Sequence, residues 1–245
     1  VRRILILGAT SAIARGTARS AASRGDALFL VGRSEKKLAD TAADLKTRGA
    51  SAVHTFVVDL NDTARHAEVV ATAEREMGGL DTVLVAHGVL TDQAAAEREY
   101  SVLERDFQTN FLSAASLLTV VANRFEQQTK GSIAVITSVA GDRGRASNYV
   151  YGSAKAALIA FTSGLRGRMA RVGVNVLDVR PGFVDTPMTA HVKKGPLFAQ
   201  PDAVGAAIYK AIVSQKDVIY VPWFWRLIMR IIREVPERIF KKMKI

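Results

Sequence analysis

Seven short, unbroken apolar runs alternate with stretches of helical period, and that alternation most limits what the chain can fold into. The runs are residues 3–7 (RILIL), 27–31 (ALFLV), 52–58 (AVHTFVV), 82–86 (TVLVA), 132–138 (SIAVITS), 174–179 (VNVLDV) and 218–221 (VIYV). Strands apolar on both faces belong to a parallel sheet covered by helices on each side. Helical period runs through residues 12–24, about 97–128 and 149–171, so Ser138 is expected to end the fifth strand and Asn110 to lie inside a long helix. Strand–helix alternation with right-handed crossovers gives a doubly wound α/β sheet. With 245 residues and no repeat or linker, the expected organisation is one domain over 1–221 and a tail over 222–245.

Composition removes several function classes. The chain has no cysteine, which excludes disulfides, iron–sulfur clusters, thiolate zinc and cysteine nucleophiles. His54, His66, His87 and His191 are too scattered for metal-ligand spacing, so no metal is expected. Hydrophobic residues at 49% and charged residues at 23% rule out a disordered chain. No apolar run reaches the roughly 18 residues of a membrane span, and a strand-like run starting just after Val1 predicts no signal peptide in this stretch. The net charge of +11 calls for an anionic partner.

The first strand runs into LGATSAIARG, a small-residue turn before a helix. Such a turn accepts a dinucleotide pyrophosphate when glycine permits close backbone approach and the helix N-terminus faces the phosphates. Gly8 is present, whereas Ala12 and Ala14 stand at the other two glycine places; an ordinary small-residue turn is the alternative. Ala14 suits the packing position, Ala12 crowds the phosphate, and Thr10 and Ser11 offer hydroxyls. After the second strand come Gly32 and Arg33, with no carboxylate for a ribose 2′-hydroxyl. A guanidinium there matches a 2′-phosphate, which favours NADPH over NADH; a solvated arginine is the plain alternative.

Tyr151 and Lys155, in YGSAK, lie one helical turn apart and share a face. Ser138 and the Pro181-Gly182 turn stand at strand ends, on the same mouth as Gly8. With Asn110 upstream and Thr186 downstream, this set resembles the short-chain dehydrogenases/reductases, in order and spacing, over about residues 3–221. The resemblance implies a Rossmann-type sheet and a ketone reductase. It makes Tyr151 the acid/base, Lys155 its activator and a ribose ligand, Ser138 the orienter of the substrate oxygen, and Asn110 the holder of a water that links Lys155 to solvent. It sets the cofactor against Gly8, Thr10, Ser11, Ala12, Ile13, Arg33, Asp59, Leu60, His87, Gly88, Tyr151, Lys155, Pro181, Gly182, Val184 and Thr186. Asp59 matches the adenine contact, with a helix N-cap as the plainer role. The family's Asn-Asn-Ala-Gly stands here as Val85-Ala86-His87-Gly88, and His87 reads as a packing and hydrogen-bonding residue rather than a second acid.

The chemistry needs a proton donor at the ketone oxygen as hydride arrives. Free tyrosine titrates near 10, and lowering it by about 3 units takes roughly 4 kcal/mol. A cation at about 4 Å and an effective dielectric of about 20 supplies that much. Lys155 and the oxidised nicotinamide are the candidate cations.

The tail, PWFWRLIMRIIREVPERIFKKMKI, has a helical pattern with Trp225, Ile228, Met229 and Ile232 on one face, widened by Leu227 and Ile231, and Arg226, Arg230 and Arg233 on another. Beyond Pro236, Ile239, Phe240 and Met243 restart an apolar stripe among Lys241, Lys242 and Lys244. Residues 221–245 hold seven basic and two acidic residues. An anionic membrane surface fits this pattern, and so does packing over the cleft or in a homo-oligomer, dimer or tetramer, as family members pair through helices. Nucleic acid does not fit, because the basic residues are mixed with bulky aliphatics. The YGSAK helix, the VRPGFVDTPMTAH loop and the tail are similar to family members that reduce the 2-keto group of a polyprenyl-phosphate pentofuranose. That resemblance implies a lipid-linked substrate, with the TPMTAH segment starting its lid, and a cytoplasmic enzyme peripheral on the inner face of the cell membrane. Reduction of an acyl thioester, steroid or other hydrophobic ketone is the alternative, and a non-catalytic NADPH-binding scaffold a third.

Overall fold

The computed structural model describes residues 1–190 and 192–243; His191, Lys244 and Ile245 lie outside the described residues. The elements follow in order as β1 (Arg3–Leu7), α1 (Ala12–Ala22), β2 (Ala27–Gly32), α2 (Glu35–Thr47), β3 (Ala52–Val57), α3 (His66–Met77), β4 (Thr82–Val85), α4 (Gln93–Ala96), α5 (Tyr100–Phe107) and α6 (Ser113–Gln128). Then come β5 (Gly131–Ile136), α7 (Tyr149–Ala170), β6 (Val174–Pro181), α8 (Pro201–Val213), β7 (Val218–Val221), α9 (Trp225–Glu234) and α10 (Glu237–Phe240). The seven strands form one sheet in the order β3-β2-β1-β4-β5-β6-β7, each pair parallel. This is the doubly wound Rossmann-type α/β fold that the apolar runs imply.

The alternation within β1 shows why both faces are covered. Leu5 and Leu7 join the core under α3, α6 and α7, while Ile4 and Ile6 join the core under α1, α2 and α8. Side chains alternate across a strand, so an unbroken apolar run feeds two cores at once. The strand order reverses between β1 and β4, and the β1, β4, β5 and β6 C-terminal ends open onto one crevice.

Two expected elements differ. The helix expected over about 97–128 starts only at Tyr100 and is divided into α5, a π-helical turn at Gln108–Leu112 and α6, with the short α4 set apart before it. Glu97-Arg98-Glu99 has no apolar residue to hold a helix face to the core, and Glu99 is extended. Asn110 therefore lies on the π-helical turn, where it is buried. Ser138 is not the end of the fifth strand, which stops at Ile136. Its hydroxyl instead accepts the Ala140 N–H (3.1 Å) and starts a 3₁₀ turn at Val139–Gly141.

The tail follows a cis Val221–Pro222 peptide and packs on the domain through one face of α9. Trp225 and Met229 are buried with Val139, and Phe183, Tyr220, Ile228 and Ile232 pack around them. Leu227 and Ile231 do not widen that face, as expected from the sequence; they turn to solvent with Trp223, at 53%, 68% and 72% exposure. Leu227 and Ile231, four residues apart, share the outer side of the helix, and Trp223 is exposed in the turn just before it. Arg143 secures the helix end: its guanidinium donates to the carbonyls of Ile232 (2.6 Å) and Val235 (2.6 Å), pairs with Glu237 (2.8 Å) and stacks on Phe240 (3.6 Å). A cation on the last carbonyls of a helix satisfies orphan acceptors and suits the dipole. None of the described helices is long and apolar enough to cross a membrane.

Candidate active site

A cleft of about 500 Å³ opens at the C-terminal ends of the central strands. One end of it is built from β1, β2 and the loop after β3. Gly8 takes φ +86°, and a Cβ there would sit 2.6 Å from the His87 backbone nitrogen, so this position requires glycine on both counts. Ser11 caps α1 by accepting the Ala14 N–H (3.2 Å), and the helix N-terminus faces the cleft with Thr10, Ser11, Ala12 and Ile13. Ala14 is fully buried beneath it.

Arg33 lines the cleft on an exposed stem, 3.8 Å from Asp59. Asp59 does not cap a helix, which is the plainer role its position allowed. Its carboxylate accepts the Asn61 N–H (2.9 Å), and the next short helix begins only after Asp62. Two further cations, Arg15 and Lys37, line the same end. The sequence reading missed both, although their places in the first turns of α1 and α2 point them toward that mouth.

Toward the other end the structure brings Ser138, Tyr151, Lys155, His87, Gly88, Pro181, Gly182, Val184 and Thr186 to one wall, and Leu60 lies with Asp59 at the first end. Asn110 is not on that surface; it is buried behind Gly88, where its side-chain oxygen accepts the Val89 N–H (3.0 Å) and its Nδ2 has no partner. Lys155 Nζ lies 5.7 Å from the Tyr151 ring centre and donates to the Ile136 carbonyl (3.1 Å). His87 donates to or accepts from Ser113 through Nε2 (2.6 Å), its Nδ1 is unpartnered, and burial, followed by Lys155, lowers it to about 3. It is therefore neutral at pH 7.

The electrostatics depart from the sequence argument in one respect. Burial pushes Tyr151 up to about 12, and Ser138 and then Arg145 pull the other way without overcoming it. Lys155 is itself lowered to about 8 by burial, opposed by Asp178. Desolvation of the phenolate outweighs Ser138 and Arg145 together, so the phenol is not brought down.

Below the wall lies a buried polar support. Arg180 pairs with Asp178 (2.8 Å) and Asp142 (2.6 Å), Thr137 donates to Asp178 (2.6 Å), and Tyr220 donates to Asp142 (2.9 Å). This network ties β6, β7 and the Ser138 turn into one rigid base. The whole arrangement can hold a long anionic ligand across the sheet and offer hydroxyl donors to an oxygen beside Tyr151. No cluster of metal-binding side chains occurs among the described residues.

A short chain dehydrogenase family model matches residues 2–196. The uncharacterized oxidoreductase Rv2073c of Mycobacterium tuberculosis is 39% identical over 240 residues, covering 98% of this chain and 96% of that protein. The ketoacyl reductase HetN of Nostoc sp. is 29% identical over 225 residues, 90% of this chain and 78% of that protein. Among solved structures, a variant actinorhodin polyketide ketoreductase with NADPH superposes with a TM-score of 0.80 at 22% identity, over 91% of this chain and 97% of that one. The chain belongs to the short-chain dehydrogenase family and is an NAD(P)-dependent oxidoreductase that reduces a ketone by hydride transfer.

Proposed function

We propose that the protein uses NADPH to reduce the 2-keto group of a pentofuranose carried on a polyprenyl phosphate, the reaction of a decaprenylphosphoryl-2-keto-erythropentose reductase. One observation carries the reading. The tail packs beside the Gly182 wall of the cleft and turns Trp223, Leu227 and Ile231 outward next to Arg226 and Arg230. A ridge of this kind suits the surface where a lipid phosphate resides. The same feature supports peripheral attachment to the inner face of the cell membrane by a cytoplasmic enzyme. A homo-oligomer, dimer or tetramer, belongs to the same proposal.

The cleft fits the cofactor: Gly8 leaves room for close approach, and Arg33, Arg15 and Lys37 stand at the end where a 2′-phosphate would lie. Bound there, NADPH supplies the hydride. In the proposed mechanism Tyr151 holds the proton at its phenol oxygen and passes it to the ketone oxygen as the C–H bond forms. Ser138 donates a hydrogen bond to that oxygen, which lowers the cost of its growing charge. Lys155 binds the ribose and stabilises the phenolate left behind. Asn110, behind Gly88, fixes the Val89 backbone and with it the floor under Lys155.

Reduction of an acyl thioester remains the second reading, favoured by the likeness to the ketoacyl reductase of Nostoc. The deciding experiment follows NADPH oxidation in mild detergent with a polyprenylphosphoryl 2-keto-pentofuranose and, in parallel, an acetoacetyl thioester. Preference for the lipid-linked sugar is the expected result. Turnover of the thioester alone overturns the substrate assignment and leaves the reductase, and no turnover of any ketone leaves only a scaffold.

A further inference from the structure

Thr137 stands between the end of β5 and Ser138, and it is buried. The peptide that joins it to Ile136 is held on two sides. Its carbonyl accepts Lys155 Nζ (3.1 Å), and its N–H donates to the Val179 carbonyl of β6 (2.8 Å). The Thr137 hydroxyl donates to the Asp178 carboxylate (2.6 Å). Asp178 is buried in the middle of β6, between β5 and β7. Side chains alternate along a strand, so Asp178 shares the sheet face of Val176, which α7 covers, while Leu177 and Val179 fill the opposite core. An apolar residue at 178 would extend that core without the cost of burying a charge, and well-packed apolar replacements of buried ion pairs are often neutral or stabilising. Stability alone therefore does not call for a carboxylate here. Its second oxygen pairs with Arg180 (2.8 Å), whose guanidinium reaches on to Asp142 (2.6 Å), the residue that closes the turn begun at Ser138. Ser138 is thus bracketed: Asp178 holds the residue before it, and Arg180 holds the end of the turn after it.

We propose that Asp178 is a positioning residue for ketone reduction, acting through Thr137 to fix both the Ile136 carbonyl that holds Lys155 and the entry into the Ser138 turn. The inference rests on Ser138 and Lys155 acting as the proposed mechanism has them. Asp178 does not line the cleft, and Thr137 does. Without the Asp178 bond, the Ile136–Thr137 peptide keeps one tie to β6 in place of two. The Ser138 hydroxyl has to meet an oxygen whose charge grows as hydride arrives, so its displacement is felt more in the transition state than in the bound substrate. Misplacement by about 1 Å costs on the order of a hundredfold in rate.

The experiment is steady-state NADPH oxidation in mild detergent, with whichever of the lipid-linked 2-keto sugar and the acetoacetyl thioester wild type reduces faster. Thr137→Val keeps the branched shape, removes the hydroxyl and leaves the Arg180 pairs intact. Its kcat, counted per NADPH-binding site, is expected to fall about tenfold or more, with the KM of the ketone changed less than about threefold. Thr137→Ser keeps the hydroxyl and should stay within about threefold of wild type. Asp178→Asn still offers the Thr137 hydroxyl an acceptor, and Asp178→Leu does not. The Asn variant should therefore keep about ten times the kcat of the Leu variant or more. Where a charge change at 178 prevents folding, the Thr137 pair decides. A merely structural network would lower the melting temperature of Thr137→Val and leave its kcat per site unchanged. That result overturns the proposal, as does an equal loss in Thr137→Ser, or equal kcat in Asp178→Asn and Asp178→Leu. A wild type that turns over no ketone overturns the reductase mechanism and this inference with it. Wild-type turnover with an unchanged Thr137→Val overturns this inference alone.

Discussion

Trp225 lies across Gly182 so closely that a methyl group on residue 182 would overlap the indole nitrogen. The glycine lines the cleft and the tryptophan begins the tail helix, so tail and cleft wall form one packed unit. Gly182→Ala is expected to cost about 1–3 kcal/mol through overpacking and to weaken NADPH binding. Trp225→Ala should cost about 3–5 kcal/mol as a large cavity. The two are in contact, so the double variant should be less destabilised than their sum. Thermal melts with and without NADPH check this, and simple additivity would show that the contact is not formed.

Tyr151→Phe should lower turnover by about 10²–10⁴-fold through loss of the proton donor, with NADPH binding retained. Near wild-type rates would remove Tyr151 from the mechanism. Reduction should also fall as pH rises through about 8, where the buried Lys155 loses its proton. A kcat/KM profile flat to pH 9.5 would contradict that role for the ammonium.

Lys155 also sets a stability signature. Its value in the folded protein, about 8, is below the ordinary 10.5. Between those two values the unfolded chain binds more protons, so stability rises with pH across the window. Below pH 8 the folded state carries the whole penalty of a buried ammonium, on the order of 3 kcal/mol. Lys155→Met should therefore be inactive yet more stable than wild type at pH 7. The difference should shrink by pH 10 in urea melts, and a variant less stable than wild type at pH 7 would refute the account.

Arg33 is expected to choose the cofactor. Arg33→Ala should weaken NADPH about tenfold or more, the worth of a charge-assisted hydrogen bond, and leave NADH unchanged. Fluorescence titration with both nucleotides reads it. Equal effects on the two would move the 2′-phosphate contact to Arg15 or Lys37.

The tail surface predicts vesicle binding. A net charge of +5 over residues 221–245, at about 1 kcal/mol per charge near an anionic leaflet, gives an affinity near a tenth of a millimolar. Changing Trp223, Leu227 and Ile231 to serine should abolish sedimentation with anionic vesicles at low salt and leave the melting temperature nearly unchanged, since these side chains bury little in the fold. A variant that still sediments equally would place the membrane contact elsewhere.

Local pattern and global packing divide the account of this chain. The unbroken runs in β1, β2, β4 and β5 determined a two-faced parallel sheet, because a strand apolar on both sides can be buried only between two helical layers. The spacing of Tyr151 and Lys155 and the small-residue turn at Gly8 likewise follow from local geometry. Only the tertiary structure decided the rest. It turned Leu227 and Ile231 outward because Val139 and the Gly182 turn receive Trp225 and Met229 and no other face. It drew Arg15 and Lys37 into the cleft, withdrew Asn110 behind Gly88, and tied Arg143 to the tail. Whether burial outweighs a neighbouring charge at Tyr151 depends on distances and desolvation between segments far apart in sequence, and those arise only when the chain has packed.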